Sequence, residues 1–202
     1  MSNWPDELCV DSEVEAAARA ALESTCATMR LSDAEAAALV PPVLGLASWL
    51  LKDLPKPAVI GLAGSQGSGK STIAELLEVA FVQARGMRVA RLSIDDFYLT
   101  RAEREVLGNE VHPLLRTRGV AGTHDMELMG AVIDGLVRGE TVRTPRFDKA
   151  VDDREPEPET IPGPVDLVIV EGWCVGARPE PEAGLVDPIN DLEAQQDENG
   201  QW

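Results

Sequence analysis

An α/β fold with a parallel sheet is predicted by three observations in this 202-residue chain. A short apolar run from Ala58 to Leu62 leads into a glycine-rich loop, and a helix-forming run starts near Lys70. A second apolar run, Val165 to Val170, reads as a buried parallel strand and ends directly on Glu171. Between the two, strand-like and helix-like stretches alternate, the pattern of a parallel sheet covered by helices. No internal repeat interrupts it.

The elements follow in order. Residues 1–11 are polar and frayed in this reading. Ser12 with Glu15 fits a capping box, and Val14, Ala17, Ala18, Ala21, Leu22, Cys26 and Met29 form one apolar stripe of a helix. Ser32 with Glu35 repeats the capping signature, Pro41-Pro42 is expected to break the second helix, and Val43 to Leu51 resumes it. After the glycine-rich loop the helix runs to about Arg85, with Gly86 as its stop. Arg88 to Ile94 is the next strand, and a polar helix begins near Arg101. A helix from His124 or Asp125 to Arg138 places Met126, Met129, Val132, Ile133 and Leu136 on its apolar side, and Thr141 to Thr144 is a short strand. Pro145 to Pro164 is proline-rich and reads as a long surface loop. Beyond Ala177 the chain is rich in Pro, Glu, Asp and Gln and is expected to be irregular.

Composition narrows the function. Asp and Glu number 35 against 18 Lys and Arg, for a formal charge of −17. Nucleic-acid binding needs clustered cations, so no nucleic-acid partner is expected. An anionic ligand must instead be met by a local basic pocket against the global field. No apolar run reaches membrane-spanning length in this reading, and the start lacks a basic-then-apolar signal pattern. Cys9, Cys26 and Cys174 are odd in number and widely spaced, which suggests neither a disulfide framework nor a zinc site. A cytoplasmic protein without a membrane partner is the expectation.

Gly64, Ser65, Gln66, Gly67, Ser68, Gly69, Lys70 and Ser71 fit G-x-x-x-x-G-K-[ST], with Thr72 next. Glycines let the backbone wrap phosphates with successive N–H groups, and the following helix adds the positive end of its dipole. Lys70 is expected to reach the β- and γ-phosphates, and the Ser71 hydroxyl to join the shell of a Mg²⁺ ion.

Carboxylates at strand ends are the second signal. Asp95 and Asp96 follow the second strand, at the sheet edge where α/β proteins place ligands. Either can accept a hydroxyl proton or hold Mg²⁺ through water, although a turn or helix cap uses the same residues. Glu171 occupies the position of a second, metal-facing acid. The stretch from His112 to Asp125, with Arg146, Asp148, Lys149 and Arg154, gathers cations suited to a carboxylate or phosphate. Trp173 and Cys174 read as core or cleft wall.

Five motifs in order, GSQGSGKST, SIDDFYLT, HPLLRTRGVAGTHD, PRFDKAVDDR and VDLVIVEGWCVG, resemble the D-glycerate 3-kinase family. That family is a branch of the P-loop kinases related to uridine kinase, phosphoribulokinase and pantothenate kinase. The resemblance covers roughly residues 57–178. It implies a three-layer P-loop NTPase sandwich after an N-terminal helical extension (1–56), and ATP-dependent phosphoryl transfer with Mg²⁺ to a hydroxyl, D-glycerate being the best guess. By the same resemblance Asp95 is the catalytic base beside Lys70, and Tyr98 is part of the acceptor wall. Arg118, His124, Asp125, Asp148, Lys149 and Arg154 fall in acceptor-binding segments, and Ser71 and Glu171 serve the metal. Residues 179–202 carry no recognisable arginine-bearing lid, so a truncated C-terminal region is expected. Another acceptor (nucleoside, pantothenate or sugar phosphate) and a non-catalytic nucleotide binder are the alternatives. No N-K-x-D is present to support a GTPase.

Overall fold

The computed structural model describes residues 12–184, 186–197 and 200. The polar start with Cys9 and residues 198, 199, 201 and 202 lie outside the described residues.

Two helices open the fold, α1 (Ser12–Thr28) and α2 (Asp33–Leu51). Ala18, Leu22 and Cys26, spaced four apart, are the buried positions of α1, whereas Ala17 of the expected stripe is exposed. Ser32 caps α2: its hydroxyl accepts the Glu35 N–H at 3.3 Å while the Glu35 carboxylate accepts the Ser32 N–H at 2.8 Å. The break expected at Pro41-Pro42 does not occur, and α2 runs through both prolines. An interior proline costs about 3 kcal/mol. Burial of Val40, Val43 and Leu44 stabilises the continuous helix by about 1.5–3 kcal/mol per side chain. By length and composition α2 is also apolar enough to cross a membrane, contrary to the sequence reading, with a mean hydropathy of 1.5 and a third (33%) of its window buried. The prolines had divided that run in the sequence.

Next come β1 (Ala58–Ala63), α3 (Lys70–Arg85), β2 (Val89–Ser93), α4 (Arg101–Glu110) and α5 (Met126–Val137). Gly86, in the left-handed region at φ 60°, ends α3 as expected. Met126, placed on the apolar side by its spacing, is exposed, because the buried positions of α5 begin at Met129. The expected loop from Pro145 to Pro164 is instead built of short ladders. β3 (Val142–Thr144) pairs with β6 (Glu159–Ile161), and β4 (Phe147–Asp148) pairs with β5 (Asp153–Arg154), both antiparallel. Strands of two or three residues have no periodicity to read.

β7 (Leu167–Gly172) completes the central sheet, whose order is β1-β7-β2 with both pairings parallel. Side chains alternate along it. Leu167 and Ile169 pack with α1, α2 and α3, through Leu22, Leu44 and Phe81. Val168 and Val170 face the other side, against Met129, Val132 and Leu136 of α5. The result is a helix–sheet–helix sandwich with the N-terminal helices integral to one core. In the segment expected to be irregular, α6 (Asp191–Gln196) is capped by Asn190, and its Gln196 carbonyl lies 2.6 Å from His112 Nε2.

Candidate active site

β1 delivers the chain to the glycine-rich loop, and α3 begins at Lys70. Gly67 and Gly69 have φ of 73° and 82°, the left-handed region that glycine tolerates best. Gly69 is the N-cap of α3 and supplies no side-chain cap, so the first-turn N–H groups are left for a ligand. A Cβ on Gly64 would stand 2.9 Å from Ser68 Oγ and 3.3 Å from the Lys70 side chain. Lys70 Nζ donates to the Ser65 carbonyl at 2.9 Å, and Ser68 N to the same oxygen at 3.2 Å, which fold the loop on itself.

Glu171 sits in β7 between Leu62 of β1 and Ser93 of β2. The Ser71 hydroxyl donates to its Oε1 at 3.0 Å. At the end of β2 the chain turns, with Ser93 Oγ accepting the Asp95 N–H at 3.4 Å. This turn divides the two aspartates. Asp95 pairs with Lys149 Nζ at 2.7 Å. Asp96 accepts from Arg146 Nη1 at 2.6 Å and from the Phe147 N–H at 3.2 Å, tying the β4 segment to the sheet. Burial raises the Asp96 pKa, with Arg146 opposing.

Tyr98 is buried, and its phenol is pushed up to about 12 by burial first and then by the charge and hydrogen bond of Asp95. Its ring stacks on His124 with centroids 4.1 Å apart and meets Phe147 edge-on at 5.3 Å. The His124 Nε2 is buried without a hydrogen-bond partner among the described residues. Burial lowers its pKa, with Asp95 opposing.

One cleft of about 710 Å³ brings Gln66, Gly67, Lys70 and Ser71 together with Asp95, Tyr98, Arg118, Lys149 and Glu171. Gly64, Ser65, Ser68, Gly69 and Thr72 shape the loop and first turn behind this wall. His124, Asp125, Asp148 and Arg154 also stand outside it. Asp125 caps α5 by accepting the Leu128 N–H at 3.0 Å and pairs with Arg154 at 3.2 Å. Arg154 Nε donates to the Tyr98 carbonyl at 2.7 Å, and Asp148 accepts the Ala150 N–H at 2.8 Å. Sequence reasoning did not single out Ser93, Gly119 or Gly172, which also line the cleft, whereas Trp173 fits its reading as wall. Arg104 was missed, and Asp152 was quoted within PRFDKAVDDR but given no role. An arginine in a polar helix carries the signal of a surface charge, yet Arg104 is fully buried.

Among the described residues no group of three or more His, Cys, Asp or Glu gathers into a metal cage. The Ser71 hydroxyl and Glu171 carboxylate form an all-oxygen pair beside the phosphate loop. That set fits Mg²⁺, which takes few protein oxygens and completes its shell with water and phosphate.

A strand–loop–helix phosphate cradle, with an acid on the adjacent strand bonded to its serine, defines a P-loop protein. The chain belongs to the Phosphoribulokinase / Uridine kinase family, whose sequence model matches residues 59–187. It is 39% identical over 135 residues to the uncharacterized kinase mug58 of Schizosaccharomyces pombe, covering 61% of this chain and 48% of that protein. It is 34% identical over 151 residues to the chloroplastic D-glycerate 3-kinase of Arabidopsis thaliana, covering 67% of this chain and 32% of that protein. The solved structure of D-glycerate 3-kinase from Cryptococcus neoformans superposes with a TM-score of 0.58 at 30% identity, over 95% of this chain and 61% of that one. The chain thus spans about half of the first of these curated relatives and about a third of the second.

Proposed function

We propose that this chain is the phosphoryl-transfer core of an ATP-dependent kinase whose acceptor is a small hydroxy acid, D-glycerate, with 3-phosphoglycerate as product. The observation that carries the reading is the cleft that sets the Asp95 carboxylate opposite the loop bearing Lys70 and Ser71. Binding phosphate requires the loop alone, whereas transfer to a hydroxyl requires a group to take its proton. Arg118 and Lys149 on the same wall supply positive charge for an acceptor carboxylate in a chain of net charge −17. Likeness to proteins named D-glycerate 3-kinase supports the same acceptor.

The loop N–H groups and Lys70 hold the nucleotide phosphates, and Ser71 and Glu171 are the residues that hold Mg²⁺. When bound, the ion neutralises charge on the β- and γ-phosphates. Asp95 takes the acceptor hydroxyl proton as the oxygen bonds to the γ-phosphorus. The bond from that phosphorus to the bridging oxygen breaks, and ADP leaves with the electron pair. Lys149, now on Asp95, cedes place to the hydroxyl. Tyr98 steadies the Asp95 carboxylate from the buried side.

A second reading, nucleotide binding without transfer, draws on that same Lys149–Asp95 pair, which occupies the carboxylate. ADP release from Mg·ATP, with and without D-glycerate, separates the two. Glycerate-dependent release that disappears in Asp95→Asn is expected. ATP binding without any release would reject transfer, and release with uridine, pantothenate or ribulose 5-phosphate alone would reject the acceptor.

A further inference from the structure

Arg104 lies one turn into α4 with its side chain fully buried. A buried guanidinium without partners is destabilising by several kcal/mol. Here Nε donates to the Leu99 carbonyl at 3.1 Å, Nη1 to the Arg116 carbonyl at 2.9 Å and Nη2 to the Asp152 carbonyl at 2.6 Å. Nη2 is also 3.1 Å from Asp152 Oδ2. Three separate segments therefore converge on one interior cation.

The other carboxylate oxygen of Asp152 points outward. Asp152 Oδ1 accepts from Arg118 Nη1 at 2.8 Å, and Nη1 also donates to the Lys149 carbonyl at 3.1 Å. The guanidinium carbons of Arg104 and Arg118 lie 5.7 and 5.8 Å from the Phe147 ring centroid, so one ring packs against both. One edge of the Arg118 fork is thereby committed. Its Nε and Nη2 have no protein partner among the described residues, and Arg118 lines the cleft. A planar fork fixed on one edge offers the other to a carboxylate in a set direction.

We infer that Asp152, held in place by Arg104, is a positioning residue that sets the free edge of Arg118 to receive the carboxylate of the acceptor. The inference rests on the proposed hydroxy-acid kinase reading and gives Asp152, which lies within the PRFDKAVDDR motif, and Arg104, which lies outside every quoted motif, roles that the resemblance did not assign. Asp152 affects acceptor binding through Arg118 and has no part in nucleotide binding.

Asp152 adopts φ of 58°, a conformation that Asn tolerates as well as Asp, so Asp152→Asn removes the charge while keeping the turn. ADP release is measured for the wild type, Asp152→Asn, Arg118→Gln and the double variant, varying D-glycerate and ATP separately. Asp152→Asn is expected to raise the KM for D-glycerate about tenfold, the loss of one charge-assisted contact, and to leave the KM for ATP within about twofold. The double variant is expected to be no worse than Arg118→Gln alone, since both changes act on one contact. Equal rises in both KM values, or additive losses, would overturn the inference while leaving the kinase reading standing. Absence of glycerate-dependent release in the wild type would overturn the kinase reading and this inference with it. Arg104→Lys, which keeps the charge but loses the fork, is expected to show the same split. If it does not fold, the Asp152–Arg118 cycle decides alone.

Discussion

The Ser71 hydroxyl donates to Glu171 Oε1 at 3.0 Å, joining the first turn of α3 to β7 across 100 positions of sequence. The contact places the only hydroxyl of the G-K-S triplet against an acid from the neighbouring strand. Replacing Glu171 with Gln keeps an oxygen in place and removes the charge. The Mg²⁺ concentration giving half-maximal ADP release is then expected to rise about 10- to 100-fold. An unchanged Mg²⁺ requirement would remove Glu171 from the metal site.

Gly172 follows Glu171 directly, and a Cβ there would stand 2.1 Å from Ile94 Cγ2 and 3.1 Å from Val175 Cγ2. Ile94 opens the turn that carries Asp95. Gly172→Ala must therefore push two cleft elements apart. A stability loss of about 1–3 kcal/mol is expected in urea unfolding, with a fall in turnover larger than any change in the KM for ATP. Wild-type turnover in that variant would show that the packing here does not set the Glu171–Asp95 spacing.

Leu22 of α1 is fully buried in the core that also holds Phe81 and Leu167. If the N-terminal helices form one cooperative unit with the sheet, Leu22→Ala destabilises the whole chain by about 2–5 kcal/mol. Urea unfolding followed by Trp173 fluorescence, in a background with Trp4, Trp49 and Trp202 replaced by Phe, and by far-ultraviolet dichroism is expected to shift together. A loss confined to one probe would mean that α1 and α2 unfold on their own.

His124 has a lowered pKa in the folded chain, chiefly through burial. Above its ordinary value near 6.5 both states are neutral, and its contribution to stability is fully present. As pH falls through that value the unfolded chain takes up the proton first, so stability declines until the lower folded pKa is passed. His124→Gln removes this share, so its urea midpoint is expected to change less than the wild type's between about pH 7.5 and 5.5. Parallel midpoint curves would reject the assignment.

Much of the fold was legible because it is local. A phosphate loop is a backbone conformation written in glycines over a few residues, and Gly64 to Ser71 displayed it directly. β7 was readable because a strand buried on both faces is an unbroken apolar run. Other features depended on partners distant in sequence. The ladders within Pro145 to Pro164 are held by Asp96–Arg146 and by pairing with β3, neither of which leaves a local pattern. The continuity of α2 is decided by what Val40 and Leu44 pack against, and propensity at Pro41-Pro42 points the other way. In the cleft, residue types indicated charge but not direction. Asp125 and Arg154 satisfy each other, whereas Lys149 turns to Asp95. Arg104 shows the limit most clearly, since its burial follows from three carbonyls in three segments.

The strand that lies between β1 and β2 is the last of the three in the sequence. On the ribosome, the glycine-rich loop leaves the exit tunnel about a hundred residues ahead of the strand that supports it. At about 5–20 residues per second that interval is on the order of ten seconds. Until β7 emerges, β1 and β2 have no partner between them, and Ser71 has no acid to meet. A nucleotide that meets the loop before then finds Ser71 without its acid, so the complete Ser71–Glu171 arrangement forms only when β7 enters the sheet.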